Sequence, residues 1–141
     1  MQYRTTVTKK MDFCYGHHLP GYDGLCCNQH GHNSSIEVSV SRALNGQGGT
    51  PDGMIEDFSI LKAHIKKVIV DKIDHKNLND VPDNAFGIKL ADKTIVMKQM
   101  PTAENMIDVI WWKLHDKYQD WLECVRIYET PTSWVERKRL G

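Results

Sequence analysis

The sequence predicts an α+β fold in the order ββααββ, with both helices on one face of an antiparallel sheet. Three observations carry it: β-branched alternation near the N-terminus and again from Ile36, two apolar patterns at helical spacing in the middle of the chain, and a closing alternation interrupted by Thr130-Pro131-Thr132-Ser133.

The first strand comes from Tyr3, Thr5 and Val7 alternating with Arg4, Thr6 and Thr8, over residues 2 to 14. Gly16, Pro20, Gly21, Gly24 and Gly31 then break the pattern, which predicts a loop over 15 to 31. Ile36, Val38 and Val40 alternate with Glu37, Ser39 and Ser41 as a second strand that stops at the turn Asn45-Gly46-Gln47-Gly48-Gly49. Asp57 is placed to cap a helix on Phe58, Leu61, Ile65, Val68 and Ile69 that runs to about Lys72. Leu78 to Ala91 reads as a loop, with a short extended piece at Thr94 to Met97. Thr102 is the N-cap of a second helix, with Glu104 in its first turn and Met106, Ile107, Ile110, Trp111, Leu114, Tyr118 and Trp121 on its apolar face. Val125 and Ile127 begin a hairpin that returns through Trp134 and Val135.

The 141 residues suit one domain, 1–141, able to bury its own core. Lys plus Arg and Asp plus Glu are both 18, which argues against a nucleic-acid footprint or a membrane-seeking surface and for a small molecule or a second copy as partner. No apolar run approaches the length of a membrane span, and MQYRTTVTKK lacks a signal-peptide core, so a cytoplasmic chain is expected. Cys14, Cys26, Cys27 and Cys124 are then read as free thiols.

Chemistry concentrates where four of the seven histidines fall close together, at His17, His18, His30 and His32. In His30-Gly31-His32 the two imidazoles lie at i and i+2 of a strand, project to one face and can converge on an ion, with Gly31 keeping the approach uncrowded. A catalytic zinc takes three protein ligands, and His17 and His18 are the candidates for the third. Taken alone, so short a motif more often marks satisfied surface or loop histidines. Cys26, four residues before His30, can act as a proton acceptor, as a fourth zinc ligand or as an inert thiol, and Cys27 competes with it. Asp74-His75 pairs a carboxylate with an imidazole, or simply ends a helix. Glu129, at a strand end, can take a paired N–H donor edge with its two oxygens, or can simply be solvated. Trp111-Trp112 reads as core packing or a subunit interface.

Read together and in order, these segments resemble the 6-pyruvoyl-tetrahydropterin synthase family. The matching pieces are Phe13-x-x-x-His17-x-Leu19-Pro20, Cys26-x-x-x-His30-Gly31-His32-Asn33, Gly53-Met54-Ile55-x-Asp57-Phe58-x-x-Leu61-Lys62, Asp74-His75-Lys76-x-Leu78-Asn79, Pro101-Thr102-Ala103-Glu104-Asn105 and Tyr128-Glu129-Thr130. The resemblance implies the tunnelling fold: a four-stranded antiparallel sheet with two helices, closing into a barrel as a homotrimer that stacks into a hexamer, with active sites between subunits. It implies Zn2+ on His17, His30 and His32. Cys26, Asp74 and His75 would be catalytic, Glu129 the pterin anchor, and Thr102 and Glu104 part of the pocket. Asp57 stays structural. The Cys-x-x-x-His-Gly-His spacing resembles the 6-carboxy-tetrahydropterin branch, which serves queuosine and 7-deazaguanine synthesis. Cys27 stands where a folate-related branch has Glu. The implied substrate is 7,8-dihydroneopterin triphosphate. The 6-pyruvoyl product and a non-catalytic zinc-binding assembly protein are the competing readings, together with a closed structural zinc completed by Cys26.

Overall fold

A computed structural model describes residues 4–17, 23–25, 30–42, 53–79, 94–96 and 100–140. Strand β1 (Thr6–His17) pairs antiparallel with β2 (His30–Ser41) along its full length, from Thr6 opposite Ser41 to His17 opposite His30. Beyond β2 lie β5 (Leu122–Thr130) and β6 (Ser133–Lys138), both antiparallel. On the other side of β1, β3 (Lys76–Asn79) and β4 (Thr94–Val96) add in parallel, so the described sheet runs β4-β3-β1-β2-β5-β6.

The four long strands form the expected antiparallel sheet, and the two short ones widen it. The loop expected over Leu78 to Ala91 does not include Leu78 and Asn79, which belong to β3, and the rest of that span lies outside the described residues: Leu78 pairs with His17 and is 2% exposed. Lys76-Asn77-Leu78-Asn79 has almost no strand propensity of its own. What makes it a strand is the unpaired backbone edge of Tyr15, Gly16 and His17, which it satisfies. The first strand likewise outruns its expected end at Cys14 by three residues, so His17 is a strand residue and not a loop one.

Helix α1 (Phe58–Ile65) starts where Asp57 accepts a hydrogen bond from the Ser59 backbone N–H at 2.7 Å. It continues through a π-helical turn at Lys66–Val70 into α2 (Asp71–Ile73), so the helical rod ends near the expected Lys72. Helix α3 (Ala103–Tyr118) is capped by Thr102, whose Oγ1 accepts from the Asn105 N–H at 3.1 Å. Gln119 at φ 49° ends it, and Trp121, expected on its face, lies in the 3₁₀ turn Gln119–Trp121.

Odd-numbered β1 residues and even-numbered β2 residues face the helices. Phe13, Tyr15, Ile36, Val38, Val125 and Ile127 pack there against Leu61, Ile65, Ile69, Met106, Ile110 and Leu114, all buried. Each such side chain stabilises the fold by roughly 1.5–3 kcal/mol. The opposite face is polar, with Arg126 bonded to Glu136 at 2.6 Å and the Tyr128 hydroxyl donating to Glu37 at 3.2 Å. Trp111 joins the core at 8% exposure, whereas Trp112 is 55% exposed.

Candidate metal and substrate site

The histidine ends of β1 and β2 emerge on the helix-facing side, just under the start of α3. His17 and His30 are cross-strand partners and His32 is the partner of Tyr15, so strand register alone gathers the three imidazoles. Their ligand nitrogens all lie within 4.8 Å of one another. His17 is 2% exposed, and its Nδ1 is 2.7 Å from the Pro101 carbonyl. A carbonyl only accepts, so Nδ1 carries the proton and the neutral ring turns the lone pair of Nε2 toward His32, whose Nε2 is 3.0 Å away.

Burial lowers the pKa of His17. The neighbouring His30 and His32 push the same way, against the Pro101 hydrogen bond and Glu129. His32 is lowered by burial and by His30, against Glu129. Both shifts favour the neutral imidazole at His17 and His32, the form that ligates metal. Three imidazoles with one ring oriented by a backbone carbonyl fit a divalent transition metal. The three histidines therefore form a set that can hold a metal ion.

Glu129, near the end of β5, enters the same side through Tyr15. The Tyr15 hydroxyl donates to Glu129 Oε1 at 3.3 Å, and its ring lies edge-on to His17 at 5.1 Å and tilted to His32 at 5.5 Å. Burial and then the Glu129 charge raise the Tyr15 pKa well above the usual tyrosine range, so the phenol stays protonated. Tyr15 falls where the glycines begin, one residue past the expected end of the first strand, and so is absent from the expected site; the period of two that puts Phe13, Tyr15 and His17 on one face is the signal that includes it.

Asp74 and His75 form a pair, with His75 Nδ1 3.1 Å from Asp74 Oδ2. The pair is pinned to the backbone of Cys14: Asp74 Oδ1 accepts from the Cys14 N–H at 2.8 Å, and the His75 N–H donates to the Cys14 carbonyl at 2.7 Å. His75 pays for this turn with a left-handed φ of 62°. The Cys14 side chain points to the polar face, where its thiol donates to Asn33 Oδ1 at 3.2 Å. A cleft of about 350 Å³ crosses the strand ends here, lined by Cys14, Gly16, Gly31, His32, Asn33 and His75 among others. The His75 side chain is 74% exposed.

Thr102 caps α3, and Glu104 is an exposed first-turn acid whose charge is felt at Tyr15. A Cβ on Gly31 would meet only the Tyr15 carbonyl, at an ordinary 3.7 Å, so the uncrowded approach expected of this glycine is not a packing requirement of the chain. Cys26, Cys27 and His18 lie outside the described residues.

Residues 6–139 match the family model for 6-pyruvoyl tetrahydropterin synthase. A 6-carboxy-5,6,7,8-tetrahydropterin synthase of Haemophilus influenzae is 35% identical over 136 residues, covering 92% of this chain and 96% of that one. A 6-pyruvoyl tetrahydrobiopterin synthase of Dictyostelium discoideum is 38% identical over 113 residues, covering 79% and 72%. Among solved structures, the 6-pyruvoyl tetrahydropterin synthase of Plasmodium falciparum superposes with a TM-score of 0.75 at 18% identity, over 98% of this chain and 100% of that one. On this match of nearly its full length, the chain belongs to the 6-pyruvoyl tetrahydropterin synthase family.

Proposed function

We propose that the chain is a zinc-dependent carbon-carbon lyase that converts 7,8-dihydroneopterin triphosphate and one water to 6-carboxy-5,6,7,8-tetrahydropterin, acetaldehyde and triphosphate. The observation that carries this reading is the gathering of His17, His30 and His32 within 4.8 Å beside a Glu129 held by Tyr15. Relatives bearing the carboxy-synthase name over nearly their whole length support it.

A zinc ion on the three histidines would supply Lewis-acid polarisation of the substrate's side-chain oxygens. Glu129 binds the pterin ring, since its two oxygens match the side-by-side ring N–H and exocyclic amine with parallel charge-assisted bonds. Cys26 takes a proton from the side chain, and His75, oriented by Asp74, handles proton transfers on its other face. Thr102 and Glu104 shape the pocket wall at the start of α3.

His75 leaves the sheet beside Cys14 with most of its side chain exposed, which supports a site completed between copies of a cytoplasmic homo-oligomer, a trimer or hexamer. The product would feed queuosine or other 7-deazaguanine synthesis. Among the described residues no helix is long and apolar enough to cross a membrane.

The 6-pyruvoyl product is the second reading, favoured by the Dictyostelium relative. The deciding experiment is anaerobic incubation of zinc-loaded protein with 7,8-dihydroneopterin triphosphate, reading product masses beside a Cys26→Ala control. A carboxy product that is lost in the control with zinc retained is expected. A product that keeps its three-carbon side chain overturns the carboxy assignment. Loss of zinc and fold in the control makes Cys26 a structural ligand.

A further inference from the structure

Tyr15 connects the two halves of the site, the three histidines and Glu129. Its ring is wedged among Phe13, stacked at 5.7 Å, and the imidazoles of His17 and His32, at 5.1 and 5.5 Å. The residue is 2% exposed, so the ring is packed on all sides. From there the phenol reaches across β2 to β5 and donates to Glu129 Oε1 at 3.3 Å. Ser34, on the intervening strand, donates to the Glu129 backbone carbonyl at 3.5 Å. Glu129 is therefore held at both its main chain and its carboxylate.

We propose that Tyr15 is a positioning residue for substrate: its hydroxyl fixes the Glu129 carboxylate at a set distance from the three histidines, so that a ligand with an N–H/NH2 edge meets metal and carboxylate together. This rests on the reading of Glu129 as the pterin anchor. A carboxylate offers about four acceptor positions, so the phenol uses one and leaves enough for two parallel bonds to the ligand. Without the phenol the Glu129 side chain regains its rotamers, and each binding event must order it again. The ring of Tyr15 packs the histidines, whereas the hydroxyl meets Glu129 and the Ser34 side chain, so Tyr15→Phe keeps the packing and removes only the hydroxyl's contacts.

The test uses the full-length zinc-loaded protein, with neopterin as an unphosphorylated probe in calorimetric titrations and 7,8-dihydroneopterin triphosphate in steady-state assays. Tyr15→Phe is expected to keep its zinc and its far-UV spectrum while weakening neopterin roughly three- to tenfold, the range of one lost hydrogen bond. KM should rise by a similar factor and kcat should stay within about twofold of the parent. Adding Tyr15→Phe to Glu129→Gln should weaken the probe no further, because the hydroxyl acts through the carboxylate. Unchanged neopterin affinity in Tyr15→Phe, full additivity in the double variant, or zinc loss from Tyr15→Phe overturns the inference. If Glu129→Gln binds neopterin as the parent does, the anchor reading itself fails. If Glu129→Gln weakens the probe and Tyr15→Phe does not, only the inference fails.

Discussion

Nε2 of His17 stands 3.0 Å from Nε2 of His32, while the other ring nitrogen of His17 is tied to the Pro101 carbonyl at 2.7 Å. The start of α3 therefore chooses the tautomer of a strand histidine, and the strand register brings its free nitrogen to the partner. Replacing His17 by Ala should drop bound metal from about one to below about a tenth of an equivalent per chain, because two imidazoles rarely hold zinc against a chelator. Elemental analysis after gel filtration measures it, and full metal retention would remove His17 from the ligand set.

If Glu129 anchors a pterin edge as proposed, Glu129→Gln keeps the shape of the side chain but loses the charge that would strengthen those bonds. Charge-assisted bonds contribute about 1.5–3 kcal/mol, so kcat/KM should fall roughly 10- to 150-fold with metal content unchanged. A fall below threefold would mean that Glu129 is only a solvated strand end.

Thr102 caps α3 through its Oγ1, 3.1 Å from the Asn105 N–H. Thr102→Ala should cost about 1 kcal/mol in urea unfolding and Thr102→Ser should restore most of it. If Thr102→Ser unfolds like the parent yet turns over much more slowly, the residue touches substrate as well.

His64 sits edge-on to the buried Tyr118 ring at 5.5 Å, and burial, Lys117 and Lys67 lower its pKa against the opposing Glu56. Its folded pKa lies below the unfolded value of about 6.5. The unfolded chain then binds the extra proton, so stability is full above about pH 6.5 and declines as pH falls toward the folded pKa. Urea midpoints of metal-free protein at pH 7.5 and 5.5 should differ less in His64→Gln than in the parent. His17 and His32, lowered in the same direction, leave a residual slope. An unchanged slope in His64→Gln would remove His64 from the acid sensitivity and leave His17 and His32 as its sources among the described residues.

If one chain supplies Cys26 and another supplies His75, then Cys26→Ala and His75→Ala should complement each other. Each homo-oligomer should be inactive, and a one-to-one mixture refolded together should recover roughly a quarter of parental activity by random pairing of intact halves. No recovery would place both groups in a single chain.

Elements that announce themselves locally are legible in the residues: the alternating long strands, the caps at Asp57 and Thr102, and the two amphipathic helical stretches, because period and cap chemistry are properties of neighbours along the chain. His30 and His32 are likewise marked as sharing a face, since residues two apart on a strand must. Tertiary structure decided what depends on distant partners. Lys76–Asn79 is a strand because β1 offers it an unpaired edge, and β1 reaches His17 because β2 and β3 pair with both sides of its end. The choice of tautomer at His17 needed Pro101, 84 residues away, and the link from Tyr15 to Glu129 spans 114. No local pattern encodes such contacts, because they exist only once burial has brought three strands and a helix start together around the same few side chains.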